Sequence, residues 1–173
     1  MELSSDINLT HPLWSRADNE LCNNNEIGIF NRLVDVYVIA CAIGIHDDKT
    51  ISDVEEQDAV SKSIGRNTHR ENDDLRTMLE FMLQNALLHS KTIKYDMDER
   101  LKLAFDPTYN VKNFSAASFL TGFANYGLEQ IFNKIDSKSS LVVVSEIYDL
   151  LEGMTEARYD EILKQIALDI DNS

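Results

Sequence analysis

The stretch "FLTGFANYGLEQIF", Phe119 to Phe132, constrains the fold more than any other. Its apolar residues recur at helical spacing, Phe119, Leu120, Phe123, Ala124, Leu128, Ile131 and Phe132, and the row continues to Ile135. Yet Gly122, Asn125 and Gly127 stand where better helix formers would be expected. An interior glycine costs a helix roughly 0.5–1 kcal/mol relative to alanine. Gly127 falls on the buried row, so the spacing predicts a helix whose backbone is closely approached by another. Ser115 is placed to cap its start.

A second apolar segment supplies the neighbour. In "FNRLVDVYVIACAIGI", Phe30, Leu33, Val34, Tyr37, Val38, Cys41 and Ile45 follow a helical period, with Val36, Ile39 and Ile43 on the flanks. The β-branched run also suits a strand, but its length favours a helix buried nearly all round, with Gly44 as its C-cap. Leu75, Met78, Leu79, Met82, Leu83, Ala86 and Leu87 predict a third long helix, with Asp73 and Asp74 at the positive end of its dipole. "DMDERLKLAF" predicts a shorter one, stopped before Asp106-Pro107. Ser52 and Glu55 fit a capping box opening a short exposed helix. Two more helices are expected at about 140–152 and 156–170, separated by Gly153.

These segments predict an all-α fold, a compact bundle of six to seven helices in a single domain over 29–173. Residues 1–28, with His11-Pro12 and the "NNNE" run, predict a polar, loosely ordered N-terminal arm that Trp14 pins to the body.

Charge narrows the function. Sixteen basic against 30 acidic residues give a net charge of -14, which repels polyphosphate and disfavours direct nucleic-acid binding. The N-terminus lacks a basic, apolar leader pattern and no apolar run approaches a membrane span, so the expectation is a cytoplasmic protein without a membrane segment. Two cysteines, Cys22 and Cys41, form no C-x-x-C pair.

Catalytic and metal-binding patterns are sparse. His11, His46, His69 and His89 are far apart and none has zinc-protease spacing. No phosphate-cradling glycine loop and no nucleophile elbow occurs. His46 beside Asp47 and Asp48 reads as a polar helix exit. Arg66, His69 and Arg70 form the one local basic cluster, a candidate anion contact whose plainer reading is a solvated loop. No cofactor is expected.

Two segments together carry a resemblance. "IFNRLVDVYVIACAIGI" has a phenylalanine, then an aspartate entering an apolar run that ends in a small-residue turn, and "FANYGLEQIF" is followed by a final pair of helices. Over about 30–45 and 119–151 the chain resembles the family of DNA phosphorothioation-associated protein 4, the Dnd system-associated protein 4. The matching residues are Phe30, Asp35, Gly44, Ala124, Asn125, Gly127 and Leu128, a structural or interaction signature rather than an active site. The resemblance implies bacterial defence against phage and no catalytic residues to carry over. It therefore predicts a non-enzymatic accessory subunit that binds a larger ATPase, nuclease or DNA-modifying partner. The alternatives are an acidic DNA mimic that occupies a DNA-binding groove, and a helical nuclease, which needs Asp35, His46, His69 or other acids to converge.

Overall fold

The computed structural model describes residues 6–23, 29–51, 62–70, 72–112, 114–135 and 144–154, with His69 and Arg70 described by their backbone. The chain runs β1 (Ile7–Leu9), α1 (Leu13–Ala17), a π-helical turn (Asp18–Cys22), α2 (Leu33–Asp47), β2 (Lys62–Ile64), α3 (Arg66–Arg70), α4 (Asp73–His89), α5 (Met97–Phe105) and α6 (Ala116–Lys134). A last helix, α7, covers 144–154. Among the described residues this is an all-α bundle of seven α-helices, with one small antiparallel sheet.

The centre is the crossing of α2 and α6, the most extensive contact between elements. Both helices are buried on most sides, α2 through Val34, Val36, Tyr37, Ala40, Cys41, Ile43 and Gly44. The two run antiparallel: Gly44 lies against the backbone of Phe123, and four residues back Ala40 lies against Gly127. A Cβ on Gly127 would fall on the Ala40 carbonyl, 2.6 Å from its carbon and 2.9 Å from its Cα. One on Gly44 would sit 2.7 Å from the Phe123 carbonyl carbon. Glycine thus lets the two backbones touch, and their propensity cost is offset by contact along the seam. Polar bonds cross it too: Cys41 Sγ donates to the Leu120 carbonyl at 3.4 Å, and the Tyr37 and Thr121 hydroxyls are 3.4 Å apart.

Gly44 is therefore a packing residue rather than the expected C-cap. The helix continues three residues beyond it to Asp47, and Asp48 takes the left-handed position with φ 50°. The Asp48 amide donates to the Ile45 carbonyl and the Lys49 amide to the Gly44 carbonyl, at 3.2 and 3.1 Å. That is a Schellman ending with aspartate in glycine's usual place.

The arm also departs from expectation. Its described part, residues 6–23, is built into the core: Ile7, Leu9, Trp14, Ala17 and Leu21 are buried. β1 pairs antiparallel with β2, Ile7 opposite Ile64, so part of the segment read as a loosely ordered arm closes a two-stranded ribbon. The strands are only three residues each, too short for alternation to stand out. Arg66–Arg70, whose plainer reading was a solvated loop, forms α3.

The remaining helices begin where their caps dictate. Asn72 accepts from the Leu75 amide at 3.0 Å, and Ser115, as expected, from the Ser118 amide at 3.2 Å. Asp96 and Glu99 form a reciprocal capping box that opens α5. α7 is seated by buried Ile147 and is helical through Gly153 to residue 154, where the described residues end. The expected helices opening at Ser52 and spanning 156–170 lie outside the described residues. No described helix is long and apolar enough to cross a membrane.

Candidate protein-docking face

Of the signature residues, Gly44, Asn125 and Gly127 are buried on α2 and α6, whereas Phe30 and Asp35 are half-buried at the N-terminal end of α2. Phe30 is half-buried against the core with its amide bonded to the Leu21 carbonyl at 3.1 Å. Asp35, in the first turn of α2, accepts from the Arg32 guanidinium at 2.7 Å. Gly44 and Gly127 make the close approaches. Asn125 is fully buried, accepts from the Trp14 indole N–H at 2.8 Å and donates to the Ile51 carbonyl at 3.3 Å. It ties the N-terminal segment and the chain after α2 to α6. The Ile51 amide returns to the same helix, donating to the Gly122 carbonyl at 2.9 Å. These residues position elements and present no common surface.

The basic cluster is placed differently. The main-chain N–H of Arg66 donates to the Asp6 carboxylate at 2.7 Å, so an anion from the chain itself occupies the start of α3. The side chains of His69 and Arg70 lie outside the described residues.

A cleft of about 330 Å³ lies where the C-terminal ends of α2 and α6 meet α7, lined by His46, Asp47, Lys134 and Asp149 among others. His46 Nδ1 is 2.9 Å from Asp47 Oδ1, and the Tyr126 hydroxyl donates to Asp47 Oδ2 at 3.1 Å. The aspartate thus orients the imidazole, but among the described residues no serine, threonine or cysteine lines the cleft. Asp35 and His46 occupy opposite ends of α2, roughly 16 Å apart at about 1.5 Å per residue. No group of three or more His, Cys, Asp or Glu among the described residues is arranged to hold a metal ion.

The unusual surface is on α4 and α5. Met97, Leu101 and Phe105 recur at i, i+4 and i+8 along α5, and all three face solvent. Met78 and Phe81 do the same on neighbouring α4, the five side chains being 41–65% exposed. Met78 was expected on the buried stripe; Leu75, Leu79, Leu83, Ala86 and Leu87 fill it instead. Burying one such side chain is worth roughly 1.5–3 kcal/mol. Five such side chains are left in water on two adjoining helices, and exposed apolar surface that gathers into one patch is what marks interaction sites.

The face is also rigid. Beyond the Asp96 capping box, the Arg100 guanidinium donates to the carbonyls of Ser90, Ile93 and Tyr95 at 2.7–2.8 Å, clamping the α4–α5 connection. Gln84 Nε2 on α4 reaches the Ala104 carbonyl at 3.4 Å. The cations of these helices are engaged: Arg76 with Asp73 at 2.8 Å, Arg100 in its clamp and Lys102 over the Tyr109 ring. Asp74 on α4, Asp96 at the start of α5 and Asp98 within it are exposed.

Sequence reasoning assigned no role to Phe81, Met97, Leu101 or Phe105. The available signal was that α5 is apolar on two sides, with Leu103 and Ala104 buried and the other row surplus to the core. Comparison with family models, curated proteins and solved structures finds no match to this chain.

Proposed function

We propose that this protein is a non-enzymatic helical accessory subunit that binds a larger protein through the α4–α5 face. The observation that carries the reading is the exposed apolar row of Met97, Leu101 and Phe105, with exposed Phe81 on the adjoining α4 and the two helices tied together through Arg100 and Gln84. Preorganised apolar residues lose little freedom on binding, which suits docking. The resemblance over 30–45 and 119–151 supports placing the partner among the ATPases, nucleases or DNA-modifying proteins of a phosphorothioation-linked anti-phage defence system in the cytoplasm. An acidic subunit suits such a partner, because DNA-processing proteins carry basic surfaces.

The test is a tagged pull-down from the native host, run in parallel with the Phe81→Glu/Leu101→Glu double variant and read by mass spectrometry. A defence protein recovered by the parent chain and lost with the variant supports the reading. Equal recovery by both chains overturns it.

A further inference from the structure

We infer that the occupant of the α4–α5 face is a basic amphipathic helix of the partner, laid along α5 with its own apolar row against Met97, Leu101 and Phe105. The inference rests on the docking reading above and adds the chemistry of what docks.

Spacing is the first argument. The exposed apolar residues of α5 recur every four positions on one helical row. A partner helix offers apolar side chains at the same i, i+4 and i+8 rhythm, whereas an extended peptide alternates every two residues.

Charge is the second. The chain carries a net charge of -14, and Asp74, Asp96 and Asp98 are exposed on the two helices that bear the row. Of the cations on these helices, Arg76 pairs with Asp73, Arg100 is held by main-chain carbonyls and Lys102 lies over the Tyr109 ring. Lys or Arg flanking the partner's apolar row would meet the exposed carboxylates of a strongly acidic chain. A second copy of this chain would instead bring the same large negative charge, and an anionic lipid surface is repelled in the same way. The chain's own residues 155–173 carry five acidic and two basic residues, so they too are poorly matched to the face.

The experiment uses the full chain and a fluorescein-labelled model peptide with leucine at i, i+4 and i+8 and lysine on both flanks. Two control peptides are a scrambled order of the same composition and a version with glutamate for lysine. The basic amphipathic peptide is expected to bind, with both controls weaker by about tenfold or more. Phe81→Glu/Leu101→Glu is expected to weaken it by a similar factor, although the variant adds two negative charges. That sign separates docking from bulk charge attraction, which predicts tighter binding to the variant.

Absence of binding by the basic peptide, or binding of the scrambled or acidic peptide as tightly, overturns the inference. So does tighter binding to the variant. The free variant should melt within about 2 °C of the parent; a larger fall means that the chain's own residues cover the face, which also overturns it. Sedimentation that shows a dimer abolished by the variant assigns the face to a second copy, and uptake onto phosphatidylserine vesicles assigns it to lipid; either result overturns it. If the peptide fails while the pull-down still distinguishes parent from variant, the helix chemistry is wrong and the docking reading stands. Failure of both removes both.

Discussion

Replacing Gly127 by alanine sets two effects against each other. In an ordinary helix interior the change gains about 1 kcal/mol from propensity. Here the new methyl would meet the Ala40 backbone, 2.6 Å from its carbonyl carbon and 2.9 Å from its Cα. Carbon atoms in contact sit at about 3.5–4.0 Å, so α6 has to withdraw by roughly 1 Å. Nothing local can yield, because the obstacle is the main chain of a buried helix rather than a movable side chain. A gap of that size forfeits a quarter to a half of the dispersion energy of each contact lining the seam. Overpacking of this kind costs about 1–3 kcal/mol, and more where backbone must shift. The steric effect wins, with a net loss of about 2 kcal/mol or more and a melting temperature lower by roughly 4–8 °C. Gly44→Ala acts on the same seam, so the double variant should lose less than the sum of the singles. Gly153→Ala is the control: a Cβ there meets nothing within 4 Å, and stability should hold or rise by up to about 1 kcal/mol. Thermal melts followed by circular dichroism decide it. A Gly127→Ala protein that melts at or above the parent temperature refutes the backbone-contact account.

Other consequences follow from the buried polar groups. Asn125→Ala strands the Trp14 indole N–H in the core and should cost about 1–3 kcal/mol in chemical denaturation. Because Trp14 is the single tryptophan, its emission in that variant should shift to longer wavelength in the native baseline if water reaches the indole. Trp14→Ala should cost about 3–5 kcal/mol, the loss expected of a core residue rather than of a loose arm. Burial pushes the Cys41 thiol from 9.0 up to about 12. Its neutral form is favoured in the folded state, so its contribution is intact below pH 9 and is lost as pH rises from 9 to 12. Over that window the parent should lose stability progressively relative to Cys41→Ala, measured by urea unfolding.

How much of this was readable in advance depended on segment length. The rows of α2, α4 and α6 are long enough for a 3.6-residue period to emerge, and Gly127 on a buried row announced a close helix approach. Gly44 misled because glycine near the end of an apolar run has two physical uses, as a left-handed cap or as a contact point. The cap went to Asp48, which bends into the left-handed region while its side chain accepts from the Lys91 amide at 2.9 Å. Residues 6–23 misled because their core residues are distributed over a three-residue strand, one turn of α-helix and a π-helical turn, none with a full period. The docking face was hidden for another reason. An apolar residue on a helix is ordinarily assigned to the core, and only the fold shows which apolar rows the core leaves unused.

The account's central claim is that this chain works by presenting the α4–α5 face to a protein partner. Amide hydrogen exchange of the full chain, alone and with the recovered partner, tests it most directly. Binding should slow exchange across Met97–Phe105 and the adjoining part of α4 around Phe81, with the α2–α6 seam unchanged. Protection confined to other elements, with Met97–Phe105 exchanging as in the free protein, would contradict it.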